Sequence, residues 1–172
     1  MRRLLTTSFA AMALLAFTAG SALGAVNQKG ALPVADFNGS SVTVSGGDFS
    51  GLGNIPAYAT LTVSGLATYT CTNPQGHASP GQNPVEAQQG VSDPTPLTTA
   101  KNGRSTVPPI TESVSAPATP SAQAVGCGGQ GSTQWTVTLN GLTATFANLT
   151  ITHDGSVIFC RNYTADGTGT AC

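Results

Sequence analysis

Charged side chains are scarce in this chain, and their scarcity excludes several classes of partner. Only 8% of the 172 residues are charged, and the formal net charge is −1. Nucleic-acid binding and attachment to anionic membranes both depend on clustered basic side chains. The basic residues after residue 24 are few and form no run; they are Lys29, Lys101, Arg104 and Arg161. We therefore expect no nucleic-acid partner and no polybasic membrane contact.

Residues that commonly carry catalysis are equally few. The chain has two histidines, His77 and His153, and its only glutamates are Glu86 and Glu112. His153 lies close to Asp154 and Ser156 along the chain, but a catalytic triad must converge in space beside an oxyanion hole. Neighbours in a tight hairpin point their side chains in different directions. We interpret both histidines as solvated turn residues and both glutamates as loop or edge residues, and we predict no catalytic residue.

The only long apolar run lies at the N-terminus. Met1-Arg2-Arg3 precedes the uncharged stretch 4–19, and Ala22-Leu23-Gly24 is a small-x-small site before Ala25. This layout is typical of a secretory signal peptide. We predict that residues 1–24 are a signal peptide and that the mature chain has no membrane span. The protein should then be secreted, in the extracellular space or associated with the cell wall.

All four cysteines follow the predicted signal peptide, and an even number in an exported chain indicates disulfides. Four cysteines allow three connectivities, of which we favour Cys71–Cys127 and Cys160–Cys172. The second pair would close a short loop and anchor the C-terminus. A zinc site that combines cysteine with histidine is the alternative, but no C-x-x-C spacing supports it, so we expect no metal.

Period-two alternation dominates the mature chain, and no segment shows a helical apolar stripe. From Ala59 to Cys71 the odd positions are mainly apolar and the even positions polar, with Leu66 the one exception. This pattern predicts a long half-buried strand with its odd face in the core and a bend or bulge at Gly65. Regular strands and turns predict an immunoglobulin-like antiparallel β-sandwich of about seven to eight strands, with a small β-barrel as the alternative.

Residues 25–172 should form a single disulfide-bonded domain with a loop-rich middle at 72–130. We expect a weakly patterned segment at 25–40, then a strand at 41–45 that ends at Gly46-Gly47. Pro108-Pro109 should confine a strand at 105–115 to an edge. The last two expectations are hairpin turns, which the sequence predicts at Asn140-Gly141 and Asp154-Gly155.

Residues that suggest ligands have simpler structural explanations. Residues 126–131 match G-x-G-x-x-G, but no helix follows, so we expect no dinucleotide cofactor. We assign Trp135 and Tyr69 to the core, with Trp135, Val137 and Leu139 on one buried face. We interpret the five aspartates as turn formers: Asp36, Asp48, Asp93, Asp154 and Asp166. We expect the two remaining tyrosines, Tyr58 and Tyr163, to be more exposed than Tyr69.

The order of motifs resembles a known family. A strand runs into 69–74 (YTCTNP), 101–104 (KNGR) follows, and Cys127 precedes Trp135-Thr136-Val137. The chain resembles a family of small, secreted, functionally uncharacterised actinobacterial β-domain proteins over most of residues 55–160. The resemblance implies secretion, a small β-domain and a Cys71–Cys127 bridge. It implies no activity, cofactor or site residue.

We therefore expect an exported, non-enzymatic β-sandwich that acts through its surface on an extracellular or cell-wall partner. A small secreted hydrolase is one alternative, and it would need a histidine within hydrogen-bond reach of a serine or aspartate in a cleft. A disulfide-stabilised protease inhibitor is another, with the loop at 72–84 as its inhibitory element.

Overall fold

The computed structural model describes residues 27–100, 103–128 and 134–172, so the predicted signal peptide lies outside the described residues. Thirteen strands occur in the described part, and six of them are six residues or longer. In chain order the strands are β1 (Asn27–Gln28), β2 (Pro33–Asn38), β3 (Ser41–Ser50), β4 (Ala57–Thr72), β5 (Ala78–Pro80), β6 (Val85–Glu86), β7 (Gly90–Val91), β8 (Thr95–Pro96), β9 (Thr98–Thr99), β10 (Ser105–Ser113), β11 (Thr136–His153), β12 (Ser156–Thr164) and β13 (Gly169–Ala171).

The strands form two antiparallel sheets that pack face to face, which confirms the predicted all-β sandwich. The smaller sheet contains β1, β2, β3, β10 and β9. The larger sheet runs β13-β12-β11-β4, and the short strands β5 to β8 pair in succession along the far edge of β4. Short edge pieces of this kind leave no long unpaired edge on that side of the sheet.

The longest pairing joins β4 to β11, from Ala57 opposite His153 to Thr72 opposite Thr136. Every odd position of β4 from Ala59 to Cys71 is buried, as the alternation predicts. The predicted hairpin turn at Asn140-Gly141 is wrong, because β11 continues through it. The register shifts between Leu139 and Gly141, so Asn140 is an extra residue in a bulge, and Asn-Gly here accommodates a kink instead of a reversal.

Two further expectations in the first half of the chain need correction. β3 does not end at Gly46-Gly47 but continues to Ser50. The weakly patterned segment contains β2, which turns through Gly39 (φ +60°) and pairs with β3 from Asn38 opposite Ser41. Asn38-Gly39 is therefore a true hairpin signal.

β10 pairs with β3 along its length, and β9 covers only Ser105 and Thr106 on its other side. Among the described strands none pairs with that second side at Pro108 and Pro109, which agrees with the expected edge position. Its prolines, Pro108 and Pro109, lie where the register with β3 shifts between Val107 and Ile110. A bulge is the other position in a sheet that tolerates a residue without a backbone N–H.

The main core lies between the two inner faces. Phe49 of the smaller sheet meets Phe159 of the larger sheet edge to face, with ring centroids 5.2 Å apart. Around this contact are aliphatic side chains that are almost entirely buried: Val42, Val44, Leu61, Val63, Val107, Ile110, Leu149 and Ile151. Because both sheets supply alternating apolar residues, the space between them excludes water, and this burial drives folding.

A second, smaller core covers the end of the larger sheet and contains the first disulfide. Cys71 is bonded to Cys127, and Tyr69, Ala122 and Val125 pack around the bridge. Val125 is fully buried, and its carbonyl accepts hydrogen bonds from the backbone N–H groups of residues 82 and 83. The loop-rich middle is thus held against the sheet by a covalent bond and by backbone hydrogen bonds.

The aromatic predictions for this region are correct in part. Tyr69 is buried, and Trp135 and Val137 are half-buried against the second core. Leu139 is 40% exposed, so the predicted common buried face ends at Val137. Leu139 still pairs with Tyr69 and is the last residue before the bulge at Asn140.

The second disulfide joins Cys160 of β12 to Cys172, so the structure contains the pairing expected from the sequence. The Asn148 amide donates to Asn162 Oδ1 at 2.7 Å beside this bridge. Tyr163 is 2% exposed, so its predicted exposure is wrong. Its hydroxyl donates to the Pro33 carbonyl at 2.8 Å and ties β12 of the larger sheet to β2 of the smaller sheet.

We predict that Leu61→Ala destabilises the protein by roughly 2–5 kcal/mol, because it removes buried methyl groups and leaves a cavity. Thr60 is the adjacent residue on the opposite, partly exposed face, so Thr60→Ala is the matched control and should change stability far less. Denaturant unfolding of the oxidised protein measures both. Equal losses would contradict the assignment of the two faces.

We also predict an alkaline dependence of stability that originates at Tyr163. Burial raises the pKa of this phenol to about 12, and the nearby Arg161 only partly opposes the shift. Since a phenol in the unfolded chain titrates near 10, this stabilisation is complete below about pH 10 and is lost as the pH rises through 12. The stability difference between the wild type and Tyr163→Phe should therefore shrink over that range.

Unfolding curves measured from about pH 9 to pH 12 test the Tyr163 prediction. Tyr58→Phe serves as the control, because Tyr58 is partly exposed at the surface. A difference between wild type and Tyr163→Phe that stays constant across the range would show that the buried phenol does not titrate as expected.

Candidate functional site

The outer face of the larger sheet, the side turned away from the smaller sheet, carries hydroxyl and amide groups with little charge. The even positions of β4 alternate outward, and β11 and β12 place Asn148 and Asn162 in register beside Thr62. On the outer face of the smaller sheet, hydroxyls bond to each other in cross-strand pairs: Ser41 to Ser113 and Thr43 to Thr111, both at 2.8 Å.

A bulge in β11 interrupts this flat surface. The register with β4 shifts between Ala144 and Phe146, so Thr145 is an extra residue. Ala144 and Ala147 are buried, whereas Thr145 is half-buried and Phe146 exposed. Both residues between the two alanines therefore lie on the outer side, which regular alternation would not permit.

Gly65 makes this bulge possible from the opposite strand. A Cβ at Gly65 would overlap the carbonyl oxygen of Thr143 and come within 2.9 Å of its carbonyl carbon. The predicted irregularity at Gly65 is thus correct in place but differs in kind: β4 stays regular, and the extra residue belongs to β11. Glycine is needed here for the close approach of two backbones.

A groove of about 400 Å³ opens on the outer face beside this bulge. Its volume falls in the range of roughly 300–1,000 Å³ that small-molecule sites occupy. β4, the segment around β6 and the β11 bulge supply its lining residues: Ser64, Gly65, Leu66, Glu86, Ala87, Gln89 and Thr145. We call this feature the groove.

The wall of the groove is held on two sides. Glu86 pairs with Leu66 of the larger sheet, and the Ala87 N–H donates to the Gly65 carbonyl at 3.0 Å. Gln88 then forms an isolated β-bridge with Ser115, which lies just past the end of β10. Because β4 and the segment after β10 both hold these residues, Glu86 and Gln89 lie on a fixed wall and not on a free loop.

The groove retains unused hydrogen-bonding capacity. Gln89 Nε2 donates to Ser64 Oγ at 3.0 Å, which orients both side chains. The Ser64 hydroxyl can still donate, and the amide oxygen of Gln89 can still accept. Among the described residues, no side chain or backbone group forms a hydrogen bond or ion pair with the Glu86 carboxylate or the Thr145 hydroxyl. These four groups are open to a ligand.

The structure does not bring together the residues that the sequence analysis considered as catalytic candidates. His153 is the last residue of β11, half-buried, and its Nε2 lies 2.9 Å from the Leu52 carbonyl, so it is not a solvated turn residue. His77 is exposed at the end of a compact turn, where its backbone N–H donates to Asn73 Oδ1 at 2.8 Å. His153 lies opposite Ser156 in the hairpin, but within the described residues neither histidine side chain forms a hydrogen bond with a serine or aspartate side chain.

The carboxylates are dispersed as well. Asp36 and Asp48 lie within β2 and β3, so their assignment as turn formers is wrong. Asp154 does form the predicted hairpin turn, with a positive φ of 48°. Glu112 lies in β10, in the opposite sheet from the groove that Glu86 lines.

Asp166 is the most strongly perturbed carboxylate, and it stabilises a turn. Its Oδ1 accepts hydrogen bonds from the Thr164 hydroxyl, the Thr168 hydroxyl and the Thr168 N–H, at 2.6, 2.8 and 3.0 Å. These bonds lower its pKa to about 2. All three partners belong to the β12–β13 turn itself, so the shift has a structural explanation.

Sequence reasoning missed the groove, although it held one signal. Leu66 is the single apolar residue among the outward positions of β4, and the structure leaves it 38% exposed. An apolar side chain on a polar strand face marks a place where the surface is not simply solvated. The sequence did not indicate Thr145 or Gln89 as groove residues. Residue types alone predict neither the β11 bulge that exposes Thr145 nor the Gln88–Ser115 bridge beside Gln89.

Comparisons with protein-family models, with curated proteins and with solved structures find no match for this chain. In the ranges 27–100, 103–128 and 134–172, no helix has the length and apolar character needed to cross a membrane. The same residues contain no group of three or more histidine, cysteine or acidic side chains placed to hold a metal ion.

We predict that Gly65→Ala destabilises the protein by about 1–3 kcal/mol, as overpacking typically does, and distorts the groove. The matched control is Gly141→Ala, because a Cβ at Gly141 would meet only the Thr68 hydroxyl, at 3.3 Å. Chemical denaturation measures the loss, and backbone amide shifts at Thr143 to Phe146 report the bulge. A Gly65→Ala variant as stable as the control would contradict the close approach.

Proposed function

We propose that this protein is a secreted, non-enzymatic binding protein of the extracellular space or cell wall. It engages its partner through the outer face of the larger sheet. The observation that carries this proposal is the groove, where unused polar groups surround the exposed Leu66 on a rigid wall. Convergent polar groups beside an apolar surface in a concave site are typical of ligand recognition.

The chemistry of the groove favours binding over hydrolysis. Glycoside hydrolysis uses two carboxylates, and acyl transfer uses a nucleophile activated by a base. Glu86 is the only titratable residue among those that line the groove, and Ser64 has Gln89 beside it where a base would be needed. An amide cannot accept the serine proton, so this serine is a hydrogen-bonding group.

Secretion is part of the same proposal and rests on the N-terminal sequence together with the disulfides. Two bonded cysteine pairs suit an oxidising compartment. An immunoglobulin-like strand arrangement and membership of the family of secreted actinobacterial β-domain proteins complete the proposal. The resemblance to that family implies a Cys71–Cys127 bridge, and this bridge is consistent with the family membership and with the immunoglobulin-like arrangement.

Sedimentation with the insoluble cell envelope of the producing organism tests the proposed function. Thr62→Lys places a charge in the middle of the outer face. We expect purified, oxidised wild-type protein to co-sediment and Thr62→Lys to lose at least about tenfold in apparent affinity, the effect of roughly 1.4 kcal/mol. Thr111→Lys on the outer face of the smaller sheet is the matched control and should bind normally.

Two results would contradict the proposed function. Equal loss in Thr62→Lys and Thr111→Lys would mean that the outer face of the larger sheet is not the binding surface. Soluble fragments released from the envelope by pure protein would support the hydrolase alternative instead. A separate assay measures inhibition of a panel of proteases by the purified protein, and inhibition there would support the inhibitor alternative.

A further inference from the structure

We propose that the groove binds a short, neutral saccharide, with its polar side chains on the sugar hydroxyls and Leu66 beneath the ring. This inference rests on the proposed function and names the ligand class for the same face. It follows from the donors and acceptors, the charge, the apolar surface and the size of the groove.

The polar groups of the groove suit ligand groups that both donate and accept hydrogen bonds, such as hydroxyls, better than groups that only donate or only accept. A sugar hydroxyl donates one hydrogen bond and accepts others, so its site must offer both roles. Ser64 can donate, the Gln89 amide oxygen can accept, and Thr145 can do either. Glu86 adds a carboxylate, which accepts from two neighbouring hydroxyls through its two oxygens.

The charge of the groove argues against anionic ligands. Glu86 is the one charged residue in its lining, and no lysine or arginine lines it. A phosphate or a uronic acid would therefore meet an unpaired negative group without a compensating cation. A neutral polyol meets no such repulsion.

The apolar groups suit the hydrocarbon face of a sugar ring. Leu66 lines the groove, and Phe146 lies opposite Ser64 on the neighbouring strand; the two side chains are 38% and 36% exposed. The C–H groups of a pyranose can cover such surfaces while its hydroxyls point to the rim. Covering exposed apolar area is favourable in itself.

The backbone of the groove excludes the commonest peptide mode. A peptide that adds to a sheet needs a free strand edge. Here the Gly65 carbonyl already accepts from the Ala87 N–H, and Leu66 pairs with Glu86. The groove therefore offers side chains rather than a free edge, and at about 400 Å³ it suits a short saccharide.

Chemical-shift mapping of the ¹⁵N-labelled, oxidised protein tests this inference with defined probes. The probes are neutral trisaccharides of glucose, mannose, galactose and N-acetylglucosamine, with trigalacturonate and trilysine as charged counterparts. We expect at least one neutral trisaccharide to shift the amides of residues 64–66, 86–89 and 145 saturably. Ser64→Ala and Glu86→Gln should each weaken that binding by about tenfold. Thr43→Ala, on the smaller sheet, should not.

The charged probes separate the alternatives. Absence of shifts with every neutral trisaccharide, or groove shifts with trilysine alone, overturns the saccharide assignment. The envelope assay distinguishes this failure from failure of the proposed function. Envelope binding that survives in Ser64→Ala and Glu86→Gln but is lost in Thr62→Lys would overturn the groove assignment and leave the binding face in place.

Discussion

The pairing of β4 with β11 is the interaction on which the rest of this structure depends. It spans the whole of β4, and the rest of the larger sheet is attached to one of the two strands: β12 and β13 beyond β11, and the short strands β5 to β8 beyond β4. Both cores lie against the inner face of this pair. So long a regular ladder would accumulate twist and present a featureless outer face. Bulges at Asn140 and Thr145 interrupt it, and Gly65 permits the second of these. The groove is therefore a consequence of how two long strands stay paired.

Sequence reasoning succeeds where one local rule decides the outcome. The alternation at 59–71 fixes which side of β4 is buried, because a half-buried strand has a period of two. It fails where two rules compete. Asn140-Gly141 and Asp154-Gly155 carry equivalent turn chemistry, yet only the second reverses the chain. At the first, residues on both sides find partners on β4, and the gain in pairing outweighs the local preference. The groove could not be predicted for a similar reason, since its wall depends on the bridge between Gln88 and the distant Ser115.

The larger sheet extends beyond the smaller one, and the first disulfide compensates for this mismatch. Past Ala67 the inner face of β4 is covered by the irregular segment around Val125, without a facing strand. An irregular segment buries backbone groups that a strand would satisfy automatically, so each needs its own partner. The Val125 carbonyl and the Cys127 N–H have such partners. The Cys71–Cys127 bond limits the conformational freedom, in the unfolded chain, of the loop between these two cysteines. The loop-rich middle is thus a structural cover whose glycines and prolines serve its irregular path.

The scarcity of charge also bears on what the outer face can recognise. Hydroxyl and amide groups exchange hydrogen bonds with water at little net gain, so a flat field of threonines gives weak and unselective contacts. Selectivity requires groups held at fixed positions, where a poor ligand leaves them unpaired. The groove provides this at one place on the face, because Gln89 fixes Ser64, and β4 and Ser115 fix the segment that carries Glu86. A neutral ligand recognised there would gain specificity from the rigid wall, and the surrounding uncharged surface would neither attract nor repel the rest of a larger neutral polymer.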